Sequence, residues 1–155
     1  MTTAAGISST TVSTSQLAPL GFELEVPTAN QGVQVWLYVF NDEPANSFTA
    51  GMLIQRDLAT STADGIITTG AISPQRVMGV AQHTIAAGSY GFILRKGIGS
   101  ILCDGNVTAN VAVCPDANAG QATDVAAVTG AAIGVALATD AGAASSVSAW
   151  INCQG

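Results

Sequence analysis

The chain has 155 residues, of which 9% are charged and 48% hydrophobic, and its net charge is −6. That length is enough for one domain with a substantial core, and the four cations, Arg56, Arg76, Arg95 and Lys96, are too few to release counterions from a phosphate backbone, so nucleic acid is excluded as a partner. A charged fraction this far below the usual value of about 25% leaves Ser, Thr, Asn, Gln, Ala and Gly to cover the surface, which suits either a face buried in an assembly or a stable, hydroxyl-rich β-protein.

Residues 1–19, MTTAAGISSTTVSTSQLAP, are rich in Ser, Thr and Ala and have no apolar periodicity. Such a segment buries too little surface to offset its ordering entropy alone, so a flexible N-terminal arm is expected. Ile7, Val12 and Leu17 among the hydroxyls suit strand addition along another chain's edge, which makes them candidate partner-interface residues. No basic stretch followed by an apolar core is read as a secretory signal, and cytoplasmic synthesis is expected.

From Leu20 to Val26, Phe22, Leu24 and Val26 alternate with Glu23 and Glu25, the pattern of a half-buried strand ended by Pro27. Two acids on a solvated strand face are ordinary, and no acid/base pair is read from them. Val33 to Phe40, VQVWLYVF, is the most hydrophobic run. It sets Val33, Val35, Leu37 and Val39 on one face and Trp36, Tyr38 and Phe40 on the other, so both faces need cover. The aromatic face belongs either to the core of a central strand or to the interface with a partner subunit, where Trp and Tyr are enriched. Residues 20–47 thus read as a strand pair joining the arm to the core.

The remainder is duplicated. Phe48-Thr49-Ala50-Gly51-Met52-Leu53-Ile54 resembles Val107-Thr108-Ala109-Asn110-Val111-Ala112-Val113, and Val77-Met78-Gly79-Val80-Ala81 resembles Ala132-Ile133-Gly134-Val135-Ala136, with Gly79 and Gly134 matched. The run Gly91-Phe92-Ile93-Leu94 closes the first unit at Arg95-Lys96-Gly97, as Val147 to Ile151 closes the second. The units are therefore about 48–97 and 107–155. Two copies are too few for an open solenoid, so they are expected to pack face to face within one core. Gly79 and Gly134 would then sit where a side chain collides with the opposing layer. The fold class is all-β, a β-sandwich or barrel of two degenerate units.

Chemistry-bearing motifs are absent. The acids sit beside turn residues, as in Asp64-Gly65, Asp104-Gly105 and Asp140-Ala141-Gly142, where they hydrogen-bond their own backbone. No stretch has the alternating ligands and distal Glu of a calcium loop. Gly88-Ser89-Tyr90-Gly91 is one residue short of a nucleophile elbow and lacks a following helix. Gly97-Ile98-Gly99 opens a strand run and reads as turns or bulges. Cys103, Cys114 and Cys153 make an odd number with no zinc-ligand spacing to His83, the single histidine, so structural thiols are expected, with Cys103 and Cys114 candidate neighbours on adjacent strands. The most apolar window, residues 125–138, is too short to span a bilayer. No enzyme, cofactor or metal site is expected.

Met78-Gly79-Val80-Ala81, Ile85-Ala86-Ala87-Gly88, Tyr90-Gly91-Phe92, Gly97, Asp104-Gly105, Val107-Thr108-Ala109 and Ile133-Gly134-Val135-Ala136-Leu137 together resemble the capsid cement (decoration) proteins of tailed bacteriophages, over about residues 48–152. The resemblance implies a non-enzymatic β-domain on the outer surface of the head, bound to the major capsid protein and working as a homo-oligomer, most often a trimer. It places the protein in the virion after assembly in the host cytoplasm. The alternative is a head-fibre or adhesin-type domain that recognises host-surface glycans.

Overall fold

Strands account for nearly all regular structure in the computed structural model, which describes residues 6–60, 63–70, 72–125 and 132–155. In chain order these are β1 (Glu23–Thr28), β2 (Gly32–Asn41), β3 (Leu53–Arg56), β4 (Asp64–Ile67), β5 (Val77–Val80), β6 (Tyr90–Leu102), β7 (Asn106–Val107), β8 (Ala112–Pro115), β9 (Ala122–Asp124), β10 (Gly134–Ala136), β11 (Asp140–Ala141) and β12 (Ser146–Asn152). The all-β class read from the sequence is the class observed. Residues 1–5 of the expected arm and residues 126–131 of the apolar window lie outside the described residues.

The strands close into two small barrels that share β6. In the first, β2 pairs with β4 in parallel, and β4–β3, β3–β5, β5–β6 and β6–β2 pair antiparallel, returning to the start. Alternation along each strand sends Leu37, Val39, Phe48, Ile54, Met78, Ala81, Ile85 and Ile93 into its interior, where they form one buried cluster. In the second, the C-terminal half of β6 pairs with β12, followed by β10, β8 and β9, and Cys103 just beyond β6 pairs in parallel with Ala122 at the start of β9. Ile101, Val107, Val113, Ile133, Ala136, Ala149 and Ile151 of this barrel are buried in a cluster that continues to Leu53, Val77, Val80 and Leu94 of the first.

The duplication is visible in the registers. Ile54 faces Gly79 as Val113 faces Gly134, Val80 faces Leu94 as Val135 faces Trp150, and Phe48 faces Ile85 as Val107 faces Asp140. The Thr-Ala turn recurs bond for bond. Met52 N donates to Thr49 O at 3.1 Å and Val111 N to Thr108 O at 3.3 Å, while Gly51 N and Asn110 N donate to Ala81 O and Ala136 O at 2.7 and 2.8 Å. The third turn residue has φ of +90° at Gly51 and +66° at Asn110, a conformation open to Gly and, among other residues, most readily to Asn.

Each unit closes its own barrel wall, yet the two are joined by a common buried cluster, in which Leu53, Val77, Val80 and Leu94 of the first lie with Val113, Ile133 and Ile151 of the second, and by bonds from Leu53 N to Gly120 O and from Gly120 N to Thr68 O. The structure differs from expectation in two respects. The repeat begins earlier than Phe48, since β2 is to the first barrel what residues 96–103 are to the second. Tyr38 faces Phe92 and Phe40 faces Tyr90, as Ser100 faces Ser148 and Leu102 faces Ser146. Finally, β1 continues through Pro27, opposite Val33, which is permitted because β1 is an edge strand and Pro costs a ladder bond only on its unpaired side.

The N-terminal segment lies on the domain. Ser13 and Tyr90 exchange backbone hydrogen bonds of 3.0 and 2.8 Å, Leu17 N donates to Tyr38 Oη at 3.0 Å, and Ala18 is buried. From Gly6 onward the free arm is therefore corrected to a docked strap. The hydroxyl-rich composition reflects its solvent side, while its backbone groups find partners on Tyr38 and Tyr90.

Candidate binding surface

The aromatic face of β2 is occupied by the chain itself. Trp36 and Tyr38 are 6% and 1% exposed. The Tyr38 ring sits 4.9 Å from Phe92 and 6.1 Å from Tyr90, and Phe40, half-buried, is 4.8 Å from Tyr90. Phe22 meets Phe92 edge-on at 6.5 Å, and Ile7, Leu20 and Leu24 pack against the same cluster. Of the two readings of this face, the core of a strand covered on both sides is the one that the burial fits. The proposed partner-interface role of Trp36 and Tyr38 is corrected, because β1 and the N-terminal strap fill the place of a partner. Ile7 is also half-buried in that layer, whereas Val12 and Leu17 are 40% and 48% exposed. The six sequence candidates thus divide between the interior and the strap, and do not form one patch.

The corresponding face of the second barrel has no such cover among the described residues. Leu94, Val80 and Leu53 of the first barrel are fully buried, in the cluster that also holds Val113, Ile133 and Ile151 of the second. Register puts Trp150, Val135 and Ala112 in their places, and Val135 pairs with both Trp150 and Ala112. Trp150 is 43% exposed, and Ile98 opposite it, Val135 and Ala112 are only half-buried. Tyr38 and Phe92 become Ser100 and Ser148, so the face has lost two aromatic side chains to water-compatible ones while gaining a Trp at a position that is Leu in the covered copy. Strand β12 reads SVSAWIN with alternating exposed and buried residues, and that alternation was the available signal that Trp150 shares a face with Ser146, Ser148 and Asn152.

Beside this face runs a groove of about 390 Å³ lined by Glu23, Arg95, Lys96, Asn152, Cys153 and Gln154. It owes its shape to a bulge. The β2–β6 register shifts so that Val35 faces Lys96 while Trp36 faces Leu94, and Gly97 follows with φ of +120°. The extra residue, Arg95, has no partner across the ladder, and the bulge turns Arg95 and Lys96 towards the same groove, a common way of re-aiming a side chain. Gly97 is thus part of a bulge, as anticipated, whereas Gly99 lies in the regular β6–β12 ladder, where a Cβ would collide with Leu94. Arg95 is ion-paired with Glu23, an exposed contact of small energetic weight. Two of the four cations of the chain lie in this one groove.

The thiols and the imidazole are poorly placed for nucleophilic chemistry. Burial pushes Cys103 and Cys153 up to about 12, and Cys114 also upward, so none is a thiolate near neutral pH. All three are free, and β9 runs between Cys103 and Cys114, Ala122 pairing with the one and Thr123 with the other. They are not neighbours on adjacent strands. Burial also lowers the pKa of His83, whose ring lies 6.4 Å from Trp36 and whose Nε2 has no hydrogen-bond partner. Among the described residues no group of three or more His, Cys, Asp or Glu is arranged to hold a metal ion, and no helix is long and apolar enough to cross a membrane.

No family model and no curated protein matches the chain. Among solved structures, the chain is similar to the N base of the head fiber protein gp8.5 of bacteriophage phi29, with a TM-score of 0.53 and 12% identity over 76% of this chain and 93% of that one. At that identity the likeness is one of fold, and it covers nearly the whole of the phage domain.

Proposed function

We propose that this protein is a structural component of a tailed-phage virion, seated on the outside of the head as a decoration protein that ties neighbouring major capsid subunits together. The observation that carries this reading is the fold shared with almost the full length of a phage head fiber base. The resemblance of residues 48–152 to cement proteins and the scarcity of surface charge support the same assignment. A non-catalytic role is in keeping with thiols held protonated by burial. The protein acts on the head as a homo-oligomer, a trimer in the form that the resemblance implies.

A second reading, the base of a head fibre, is favoured by the identity of the structural neighbour. Co-sedimentation of the purified chain with empty heads tests attachment, and light scattering tests the trimer. Failure to pellet with heads at micromolar concentration contradicts both readings, and a monomer mass on and off the head contradicts the oligomer.

A further inference from the structure

The groove at the β6 bulge and the open face beside it bring together an exposed indole, two amides and two cations. Lys96 lies directly opposite Asn152 and Ile98 directly opposite Trp150 across the β6–β12 ladder, so Trp150 stands one same-face step, about 7 Å, from Asn152. Asn152 and Gln154 are exposed, and Lys96 has no acidic partner among the described residues. The groove volume falls in the range of small-molecule sites. An exposed indole offers a flat apolar surface, two planar amides offer paired donors and acceptors, and an unpaired ammonium beside a guanidinium offers a seat for an anion.

We propose that this groove and the Trp150 face beside it together bind an acidic saccharide, with the C–H face of one sugar ring stacked on Trp150, hydroxyls held by Asn152 and Gln154, and a carboxylate or phosphate held by Lys96 with Arg95 behind it. The duplication supplies an internal control. The equivalent position to Trp150 in the first barrel is Leu94, wholly buried, so the large aromatic side chain is present only in the copy where it fills no core. Trp150 contributes little to packing where it stands, and an exposed Trp bordered by hydroxyls and a cation is the arrangement of a binding platform. This inference is independent of head attachment.

The test is a titration of the full-length, ¹⁵N-labelled chain followed by NMR. Its two indole N–H signals belong to Trp36, buried, and Trp150, exposed, so the first reports folding and the second binding. Trigalacturonate is the carboxylate probe, glucose 1-phosphate the phosphate probe and maltotriose the neutral one. The expected result is a saturable shift of the Trp150 indole and of the Lys96, Asn152 and Gln154 amides with at least one acidic probe, at millimolar or tighter Kd, and roughly tenfold weaker binding of maltotriose. Whichever acidic probe binds identifies the anion. Lys96→Gln is expected to weaken binding roughly tenfold and Trp150→Phe to retain it better than Trp150→Ala. The proposal is overturned if neither acidic probe gives a saturable shift, if maltotriose binds equally well, or if Lys96→Gln changes nothing. It is likewise overturned if Trp150→Ala abolishes head retention while no saccharide binds, since the face is then a protein contact.

Discussion

Introducing a methyl group at Gly134 examines the barrel wall at its tightest point. A Cβ there lies 2.2 Å from the carbonyl oxygen of Trp150, whereas at the matched Gly79 it lies 2.8 Å from the carbonyl oxygen of Leu94. In both copies the obstacle is the neighbouring strand of the same barrel and not an opposing layer, which corrects the reason expected from the sequence while keeping the equivalence. To reach an ordinary van der Waals contact, β12 must retreat from β10 by about 1 Å. That stretches the flanking bonds Asn152 N to Ile133 O and Leu137 N to Ser148 O, each 2.8 Å, beyond hydrogen-bonding distance. Two bonds at about 1 kcal/mol each and strain of about 1–3 kcal/mol, less about 0.4–1 kcal/mol for the stiffer unfolded chain, give about 2–4 kcal/mol for Gly134→Ala. Gly79→Ala, needing a smaller retreat, should cost about 1 kcal/mol by the same reasoning. Urea unfolding measures both, and for a chain of this length about 2–4 kcal/mol corresponds to roughly 4–16 °C in Tm. A Gly134→Ala variant within about 0.5 kcal/mol of wild type, a value typical of neutral surface changes, refutes the reasoning.

The two tryptophans should respond in opposite ways. Trp36→Ala is expected to lower stability by about 3–5 kcal/mol as a core truncation, and Trp150→Ala by under about 1 kcal/mol as a surface change, both read by denaturant melts. The thiols set an alkaline limit. Because the folded-state pKa values of Cys103 and Cys153 are raised from 9.0 to about 12, their contribution is complete below pH 9 and is lost as pH rises towards 12. The double variant Cys103→Ala, Cys153→Ala should show a shallower decline in stability over that window. Deleting residues 1–19 removes the Ser13–Tyr90 pair and the bond from Leu17 N to Tyr38 Oη, so the free domain should lose about 2–4 kcal/mol, at about 1 kcal/mol per bond plus the cover over Phe92 and Tyr38. An unchanged Tm for the truncated chain contradicts a docked strap.

Much of this fold was legible because its signals are local. The turns Thr49-Ala50-Gly51 and Thr108-Ala109-Asn110, and the strands around Gly79 and Gly134, carry their geometry in short residue strings, so the duplication could be read. What eluded the sequence is long-range. Gly97-Ile98-Gly99 reads as the opening of a strand run after the first unit, but nothing local says which strands that run joins. Only pairing with both β2 and β12 shows β6 to be a wall of both barrels. Trp36 and Tyr38 required cover that either a partner or the chain could supply. The strap that supplies it is held by backbone groups, which leave no mark on side-chain composition. Trp150 was visible as a residue, but its exposure depends on the second barrel having no strap over it among the described residues.

Attachment to the head is the central claim, and cryo-electron microscopy of heads incubated with the purified chain measures it directly. The expected result is added density on the outer surface at positions that follow the icosahedral lattice, fitted by the two-barrel fold, with a copy number fixed by that symmetry. Heads that remain bare at saturating protein, or density confined to the portal and tail, contradict it.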